Sequence, residues 1–241
     1  MEQNRYSEQC RKSLWKFQVM KKVEWRPRTI LVSEALAVCA MCDLYDVNTF
    51  VESGVANARS TQIWAGYDNR RLDVWAIDKV LKKTAIDAMS TYQNARLIRA
   101  DGNIEVLNQI TRFAPCIERR LGVFIDGPKG LQAVKLAMNA IKIPCVKFVG
   151  VHDCHKIDSR TGNLNAARTA MEAAGAAFFT DEPWFTDEYK YIDEGETQFD
   201  EEQQGWWEPG FRCFKKSGTI SRRNLGSYGP TAGFLIKEEP Q

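Results

Sequence analysis

The sequence is poor in histidine, in net charge and in long apolar runs. Its 241 residues include 2 His, and 33 Lys and Arg nearly balance 31 Asp and Glu, for a formal net charge of +2. Such a charge gives no general attraction to nucleic acid or to a membrane surface. No apolar stretch approaches the roughly 20 residues of a membrane span, and the first residues lack the apolar core of a signal peptide. These absences predict a cytoplasmic protein without a membrane or nucleic-acid partner, and they leave its oligomeric state open.

The seven cysteines are odd in number and widely spread along the chain. This usage predicts reduced thiols rather than a disulfide framework. Cys39 and Cys42 form a CxxC, but they lie in an apolar segment with helical character, and no second CxxC completes a zinc site. We therefore predict that this pair packs in the core.

The clearest structural pattern lies in the middle of the chain. A short apolar run at residues 123–125 stops at Asp126, an amphipathic segment follows, and a second apolar run at residues 146–151 ends on His152 and Asp153. These lengths predict a strand, a crossover helix and a parallel strand. Because parallel neighbours point their carboxyl ends the same way, Asp126, His152 and Asp153 should emerge side by side, at the edge where open α/β sheets bind ligands.

The same alternation of strands and helices extends to both sides of this unit. Strands are predicted at residues 48–52, 73–77, 95–100, 123–125, 146–151, 177–179 and 232–236. Residues 1–46 are predicted to form an N-terminal helical extension to a domain of residues 47–241. Residues 181–229 are acidic, aromatic and without clear periodicity, so we predict an insertion or lid within that domain.

Acidic residues recur at the ends of the predicted strands. They are Glu52, Asp78, Asp101 and Asp126, and Asp153 follows the fifth strand. Carboxylates at this edge can accept hydrogen bonds from ribose hydroxyls, an exocyclic amine or an ammonium group, and a neighbouring glycine lets a ligand approach the backbone. A single acid of this kind is commonly a solvated strand end or a helix N-cap. Four at regular intervals favour a ligand site.

On these residues, the sequence resembles the class I S-adenosylmethionine-dependent methyltransferases. The segment FVESGVANARST at residues 50–61 is similar to the first motif of the family, and FIDGPKG followed by FVGVHDCHK is similar to a branch with Ile-Asp-Gly after strand four and His-Asp after strand five. The resemblance covers about residues 48–156 and extends more loosely to residue 236. It implies an α/β, Rossmann-like methyltransferase fold, with a seven-stranded, mostly parallel sheet, helices on both faces and the N-terminal helical extension.

The resemblance also implies that S-adenosylmethionine is the cofactor. The implied cofactor-binding residues are Glu52, Gly54, Ser60, Asp78, Asp101, Gly102 and Asp126. Within this set, Asp78 would hold the ribose hydroxyls, and Asp101 with Gly102 would lie beside the adenine. The chain departs from the family pattern at Asn57-Ala58, where a second glycine is usual. A Cβ atom there would crowd the cofactor or force a different path on the loop.

Three residues are predicted to carry catalysis. His152 is the candidate general base, since its ordinary pKa near 6.5 suits removal of a hydroxyl proton. Asp126 and Asp153 would orient it or hold Mg²⁺ as metal ligands, although Cys154 is a poor ligand for a hard cation where catechol-type relatives have Asn. A structural role for His152 stays open. Zinc bound by the HDCH segment at residues 152–155 would match no common ligand spacing.

Together these features predict an S-adenosylmethionine-dependent O-methyltransferase that acts on a hydroxyl of a sugar or small metabolite. The acidic and aromatic insertion would then cover the acceptor. The alternative is a non-catalytic, Rossmann-like binding module that has lost cofactor chemistry, in which Asn57-Ala58 and the acidic segment belong to a partner-binding surface. A weaker third reading is another nucleotide-using enzyme on the same scaffold, since a fold alone does not settle chemistry.

Overall fold

This computed structural model describes residues 2–19, 30–116, 118–158, 161–193 and 231–237, and the backbone of four short strands between residues 198 and 224. The helices are α1 (Glu2–Val19), α2 (Val32–Leu44), α3 (Arg59–Gly66), α4 (Lys83–Met89), α5 (Gly102–Phe113), α6 (Leu131–Ala140), α7 (Ala166–Ala173) and α8 (Pro183–Tyr189), with 3-10 helices at Tyr67–Arg70 and Lys190–Asp193. The strands are β1 (Thr49–Ser53), β2 (Asp73–Asp78), β3 (Ala95–Arg99), β4 (Leu121–Ile125), β5 (Val146–Val151), β6 (Phe178–Phe179), β7 (Gln198–Asp200), β8 (Gly205–Glu208), β9 (Phe211–Lys216), β10 (Thr219–Asn224) and β11 (Gly233–Ile236). Within these residues, every helix is too short or too polar to cross a membrane.

The main sheet has seven strands in the order β3-β2-β1-β4-β5-β11-β6. Strands β1 to β5 pair in parallel, and β11 runs antiparallel to both β5 and β6. The strand order therefore reverses between β1 and β4, and such a switch point leaves a crevice at the carboxyl ends of the strands. The sheet has the seven-stranded, mostly parallel, Rossmann-like fold that the sequence predicted, and its last strand is the antiparallel one.

Helices cover both faces of this sheet. Side chains alternate across each strand with a period of two, so Phe50 of β1 and Phe124 of β4 face one apolar cluster, while Val51 and Val123 face another. The first cluster holds α1, α2, α3, α4 and α8, and the second holds α5, α6 and α7. The predicted arrangement of helices on both faces is confirmed.

The described residues of the predicted N-terminal extension pack as part of the first cluster. Helix α2 is buried from Val32 to Cys42, so it is a core helix and not an attached arm. Asp43 joins it to the neighbouring elements, because its Oδ2 accepts hydrogen bonds from Ser13 Oγ and Tyr67 OH at 2.7 Å each. Cys39 and Cys42 are buried with free thiols, as predicted for core residues.

Part of the predicted insertion at residues 181–229 has regular structure. It contains α8, the second 3-10 helix and a separate antiparallel sheet in the order β10-β9-β8-β7. The ring of Trp184 lies 5.5 Å from that of Phe178, so α8 joins the first apolar cluster. The side chains of residues 194–230 lie outside the described part of the chain, and a lid function for this segment stays a prediction.

Candidate functional site

A cleft of about 390 Å³ opens at the carboxyl ends of β1 to β4, beside the switch point. Its volume lies within the range of roughly 300–1,000 Å³ that is usual for small-molecule sites. Four of the predicted cofactor residues line it: Gly54, Asp78, Asp101 and Gly102. Two lysines that were not predicted from the sequence, Lys79 and Lys129, also line the cleft.

Asp78 holds the loop between β1 and α3 in place. Its Oδ2 accepts hydrogen bonds from the backbone N–H groups of Val55 at 2.8 Å and Ala56 at 3.0 Å, and its Oδ1 accepts one from Val80 at 3.0 Å. A carboxylate offers about four acceptor positions. One position therefore remains for a hydroxyl of a ligand in the cleft.

Asp101, after the neighbouring strand β3, also both fixes local backbone and faces the cleft. It caps α5 by accepting a hydrogen bond from the N–H of Asn103 at 2.9 Å, and this bond is the main cause that lowers the pKa of Asp101. Its Oδ2 lies 3.0 Å from Lys79 Nζ. An ion pair between neighbouring strand ends thus lies on the cleft wall.

Glu52 and Ser60, two other predicted cofactor residues, lie beneath the loop and do not line the cleft. The Glu52 carboxylate is fully buried and accepts hydrogen bonds from Ser60, Thr61 and Trp64. Burial raises the pKa of Glu52 to about 7, against the effect of these three donors. The acid of the first motif therefore anchors the start of α3.

The glycines of the cleft are required by contacts within the chain. Gly54 has φ +96°, and a Cβ atom on it would lie 2.7 Å from the backbone nitrogen of Gly127. Ser53 adds to this junction, because its carbonyl oxygen accepts from Asp126 N–H at 2.8 Å and its hydroxyl donates to the Gly127 carbonyl. A Cβ on Gly102 would lie 2.2 Å from Ser53 Oγ. The ends of β1 and β4 are thus joined backbone to backbone.

The departure from the family pattern appears as left-handed backbone at two alanines. Ala56 has φ 47° and Ala58 has φ 60°. With Gly54, every second residue from 54 to 58 therefore has a positive φ. The sequence reading located the missing glycine at Asn57-Ala58, and the structure locates the unusual backbone at positions 56 and 58. For an L-residue this conformation costs roughly 1–2 kcal/mol.

A second group of residues, here named the charged cluster, lies at the ends of β4 and β5. It comprises Glu34, Asp126, Lys129, His152 and Asp153. His152 Nδ1 lies 2.6 Å from Asp126 Oδ1 and 3.6 Å from Asp153 Oδ1. Lys129 Nζ pairs with Asp126 and lies 2.9 Å from Asp153 Oδ2. The three side chains predicted to emerge side by side therefore do so, and Asp153 reaches the group with a left-handed φ of 61°.

The second nitrogen of His152 faces Glu34, a residue that the sequence reading missed. Glu34 is fully buried on α2, and its Oε2 lies 3.4 Å from His152 Nε2 without forming a hydrogen bond. Burial raises the pKa of Glu34, against the attraction of His152. A signal was present in the sequence, since Glu34 directly precedes the apolar run of residues 35–42, and acids are almost never fully buried unless paired.

The charge environment opposes the predicted general-base role of His152. Burial alone would lower the pKa of His152, but the carboxylates of Asp126, Asp153 and Glu34 outweigh burial and raise it to about 10. Conversely, His152 and Lys129 overcome the effect of burial on Asp126 and lower its pKa to about 2. This shift favours the imidazolium form, in which neither ring nitrogen has a lone pair to accept a hydroxyl proton.

Among the residues that the structure describes, one group of three or more side chains could hold a metal ion. It consists of Asp126, His152 and Asp153, whose ligand atoms lie within 4.8 Å of one another. The group contains neither Cys154 nor His155, so the zinc alternative for the HDCH segment has no support here.

No protein-family model matches this sequence, and no curated protein is similar to it. Among solved structures, the chain is similar to TrmN from Thermus thermophilus, with 13% identity, a TM-score of 0.41 and coverage of 85% of this chain and 49% of that one. The chain thus spans about half the length of that protein.

It is also similar to a SAM-dependent O-methyltransferase from Thermotoga maritima, with 9% identity, a TM-score of 0.48 and coverage of 93% and 71%. A third similar structure is the 1,6-didemethyltoxoflavin-N1-methyltransferase of Burkholderia thailandensis with bound S-adenosylhomocysteine, at 9% identity, a TM-score of 0.44 and coverage of 98% and 90%. At these values the likeness carries no conclusion about reaction or substrate. The fold follows from the strand order and pairing described above.

The left-handed backbone of the loop leads to a stability prediction. Ala56 is exposed, so Ala56→Gly should relieve strain without loss of packing and raise the free energy of unfolding by about 0.5–1 kcal/mol. The control is Ala173→Gly, at an exposed site with helical backbone at the end of α7, which should lower it by up to about 1 kcal/mol. Urea unfolding measures both. A loss at Ala56 equal to that at Ala173 would contradict a left-handed conformation.

The buried Glu52 leads to a prediction about pH. Its folded pKa of about 7 lies above the ordinary value of 4.5, so folding favours the protonated carboxyl. The stability due to this group is complete below the ordinary pKa and is lost as pH rises through about 7. Glu52→Gln removes the titration and can keep hydrogen bonds to its neighbours.

Between about pH 5 and about pH 8, the wild type should therefore lose about 2–3 kcal/mol of stability relative to Glu52→Gln. Urea unfolding of both proteins at the two pH values measures this difference. The same pH dependence in both proteins would show that Glu52 titrates normally.

Proposed function

We propose that the protein is an S-adenosylmethionine-dependent methyltransferase that methylates an oxygen atom of a small molecule. The observation that carries the proposal is the row of groups along one sheet edge. Asp78 ends β2, Asp101 and Gly54 follow β3 and β1, and four of the five residues of the charged cluster follow β4 and β5. Adjacent strands lie about 4.8 Å apart, so this row is about 19 Å long.

The residues of the cleft fit the cofactor in their chemistry. The remaining acceptor position of Asp78 suits a ribose hydroxyl, and Asp101 on the neighbouring strand suits the adenine side. Gly54 and Gly127 both line the cleft and pack against each other, so the backbone itself forms the wall where the methionine part would lie. The bound cofactor supplies an electrophilic methyl group on a sulfonium.

The charged cluster favours an acceptor that ionises by itself. Lys129 is half-exposed, with 50% of its side-chain surface accessible, and His152 behind it is cationic. The ammonium group of Lys129 can donate a hydrogen bond to an oxyanion, although Asp126 and Asp153 offset its charge, and it has no lone pair with which to remove a proton. A phenol or an enol, which loses its proton to solvent, therefore suits the site better than the sugar hydroxyl considered from the sequence. Attack of that oxyanion on the methyl carbon breaks the carbon–sulfur bond and leaves a methyl ether and S-adenosylhomocysteine.

One observation favours the alternative of a non-catalytic binding module. Both cleft acids already have partners, because Asp78 is bonded to three backbone N–H groups and Asp101 to Lys79. In the binding-module reading these contacts close the cleft to a ligand. Calorimetry with S-adenosylmethionine separates the two functions, since the module predicts no heat of binding.

Asp78→Asn tests the cofactor site. The amide oxygen can keep the contacts of Val55 and Ala56, while the amide nitrogen replaces Oδ1, so both the Val80 contact and the acceptor left for a ribose hydroxyl are lost. Affinity for S-adenosylmethionine should fall by about 1.5–3 kcal/mol, a factor of roughly 10 to 150. The matched control is Asp87→Asn, at an exposed acid on α4, which should bind as the wild type does. Equal affinity in all three proteins would remove Asp78 from the cofactor site.

The acceptor class is tested by a paired screen. Phenolic compounds and sugars of similar size are incubated with enzyme and S-adenosylmethionine, and release of S-adenosylhomocysteine is measured. Turnover of phenols should exceed that of sugars, and the rate should rise with the ionised fraction of the phenol as pH increases. Preferential turnover of sugars at neutral pH would instead require a base that the charged cluster does not supply.

A further inference from the structure

Lys129 occupies the position where the family resemblance implies a divalent cation. The candidate ligand atoms of Asp126, His152 and Asp153 lie within 4.8 Å of one another. Lys129 Nζ pairs with Asp126 Oδ1 and lies 2.9 Å from Asp153 Oδ2 and 3.4 Å from His152 Nδ1. One ammonium group thus contacts all three ligand residues.

These residues do not fit Mg²⁺ while Lys129 stays in place. Magnesium requires oxygen ligands at about 2.0–2.1 Å in octahedral geometry. An ion bound to the same two carboxylates would share its volume with the ammonium group, and two cations cannot occupy one small site without strong repulsion. His152 adds a further obstacle, because its Nδ1 is already engaged with Asp126 at 2.6 Å.

The local sequence explains how a lysine reaches this position. Lys129 follows Asp126 by three residues in the short turn between β4 and α6, so its side chain folds back over the strand end. From there it meets Asp153, at the end of the neighbouring parallel strand. The chain itself thereby supplies a positive charge to the two carboxylates.

We propose that Lys129 is a built-in cation that takes the place of a divalent metal ion, and that its ammonium group orients the acceptor oxygen. The first half of this inference concerns the cation position and stands by itself. The second half rests on the proposed function. The inference replaces the magnesium site that the sequence suggested at Asp126 and Asp153.

The decisive experiment removes the ammonium group and measures metal binding directly. Mn²⁺ is the probe, since it prefers oxygen ligands as Mg²⁺ does and its free concentration is read by electron paramagnetic resonance. Lys129→Met should bind one Mn²⁺ at least about tenfold more tightly than the wild type. The matched control is Lys79→Met, because Lys79 also pairs with a carboxylate beside the cleft but contacts none of the three ligand residues in the described structure. It should bind Mn²⁺ as the wild type does.

A second variant, Lys129→Gln, guards against misfolding of the first, and thermal unfolding confirms that each protein is folded. One result would overturn the inference: folded Lys129 variants that bind Mn²⁺ no more tightly than the wild type does, whether both proteins bind it tightly or neither binds it.

Calorimetry with S-adenosylmethionine keeps this inference separate from the proposed function. If the wild type does not bind S-adenosylmethionine, the methyltransferase proposal is refuted, and the Mn²⁺ affinities of the Lys129 variants still test the cation position. If the cofactor binds and an acceptor is found, a chelator should leave wild-type turnover unchanged. Turnover that a chelator abolishes and Mg²⁺ restores would contradict a built-in cation.

Discussion

The junction between the ends of β1 and β4 is the contact on which the candidate site depends. At a switch point the loops after two neighbouring strands run in opposite directions and tend to separate. Here Ser53 and Gly54 are bonded to and packed against Asp126 and Gly127, so the two loops stay together. The cleft and the charged cluster both adjoin this junction, and Lys129 belongs to both. A ligand that spans both would therefore meet groups held at a fixed separation.

Ion pairing explains why the charged cluster can exist in a partly buried position. Isolated carboxylates there would be costly, and each is paired with a cation that it also keeps protonated. Asp126 and Asp153 hold His152 and Lys129 in their charged forms, and those cations hold Asp126 ionised. Glu34 faces the imidazolium from the core side. The group therefore acts electrostatically as one unit, and its members cannot be assigned separate acid and base roles.

The sequence predicts the features that depend on local periodicity. Alternating strands and helices place Asp78, Asp101, Asp126 and His152 at one edge, and the structure agrees. It does not predict contacts made through tertiary packing. Glu34 reaches His152 because α2 packs across the sheet, and no spacing rule connects the two residues. The burial of Glu52 beneath its hydrogen-bond donors and the positive φ of Ala56 likewise depend on tertiary contacts of the loop. The residues of a sequence motif do not specify those contacts.

The antiparallel strand β11 links completion of the sheet to assembly of the site. It lies between β5 and β6, although residues 233–236 follow every other strand in sequence. The Thr231 carbonyl just before it also accepts the N–H of Cys154 at 2.6 Å, and so fixes the turn that carries His152 and Asp153. During synthesis, the edge of β5 that faces away from β4 therefore stays unpaired until β11 has been made. The turn that carries His152 and Asp153 lacks its hydrogen bond to Thr231 until the same point. A chain interrupted before residue 231 would contain every residue of the charged cluster and still lack the support that arranges them.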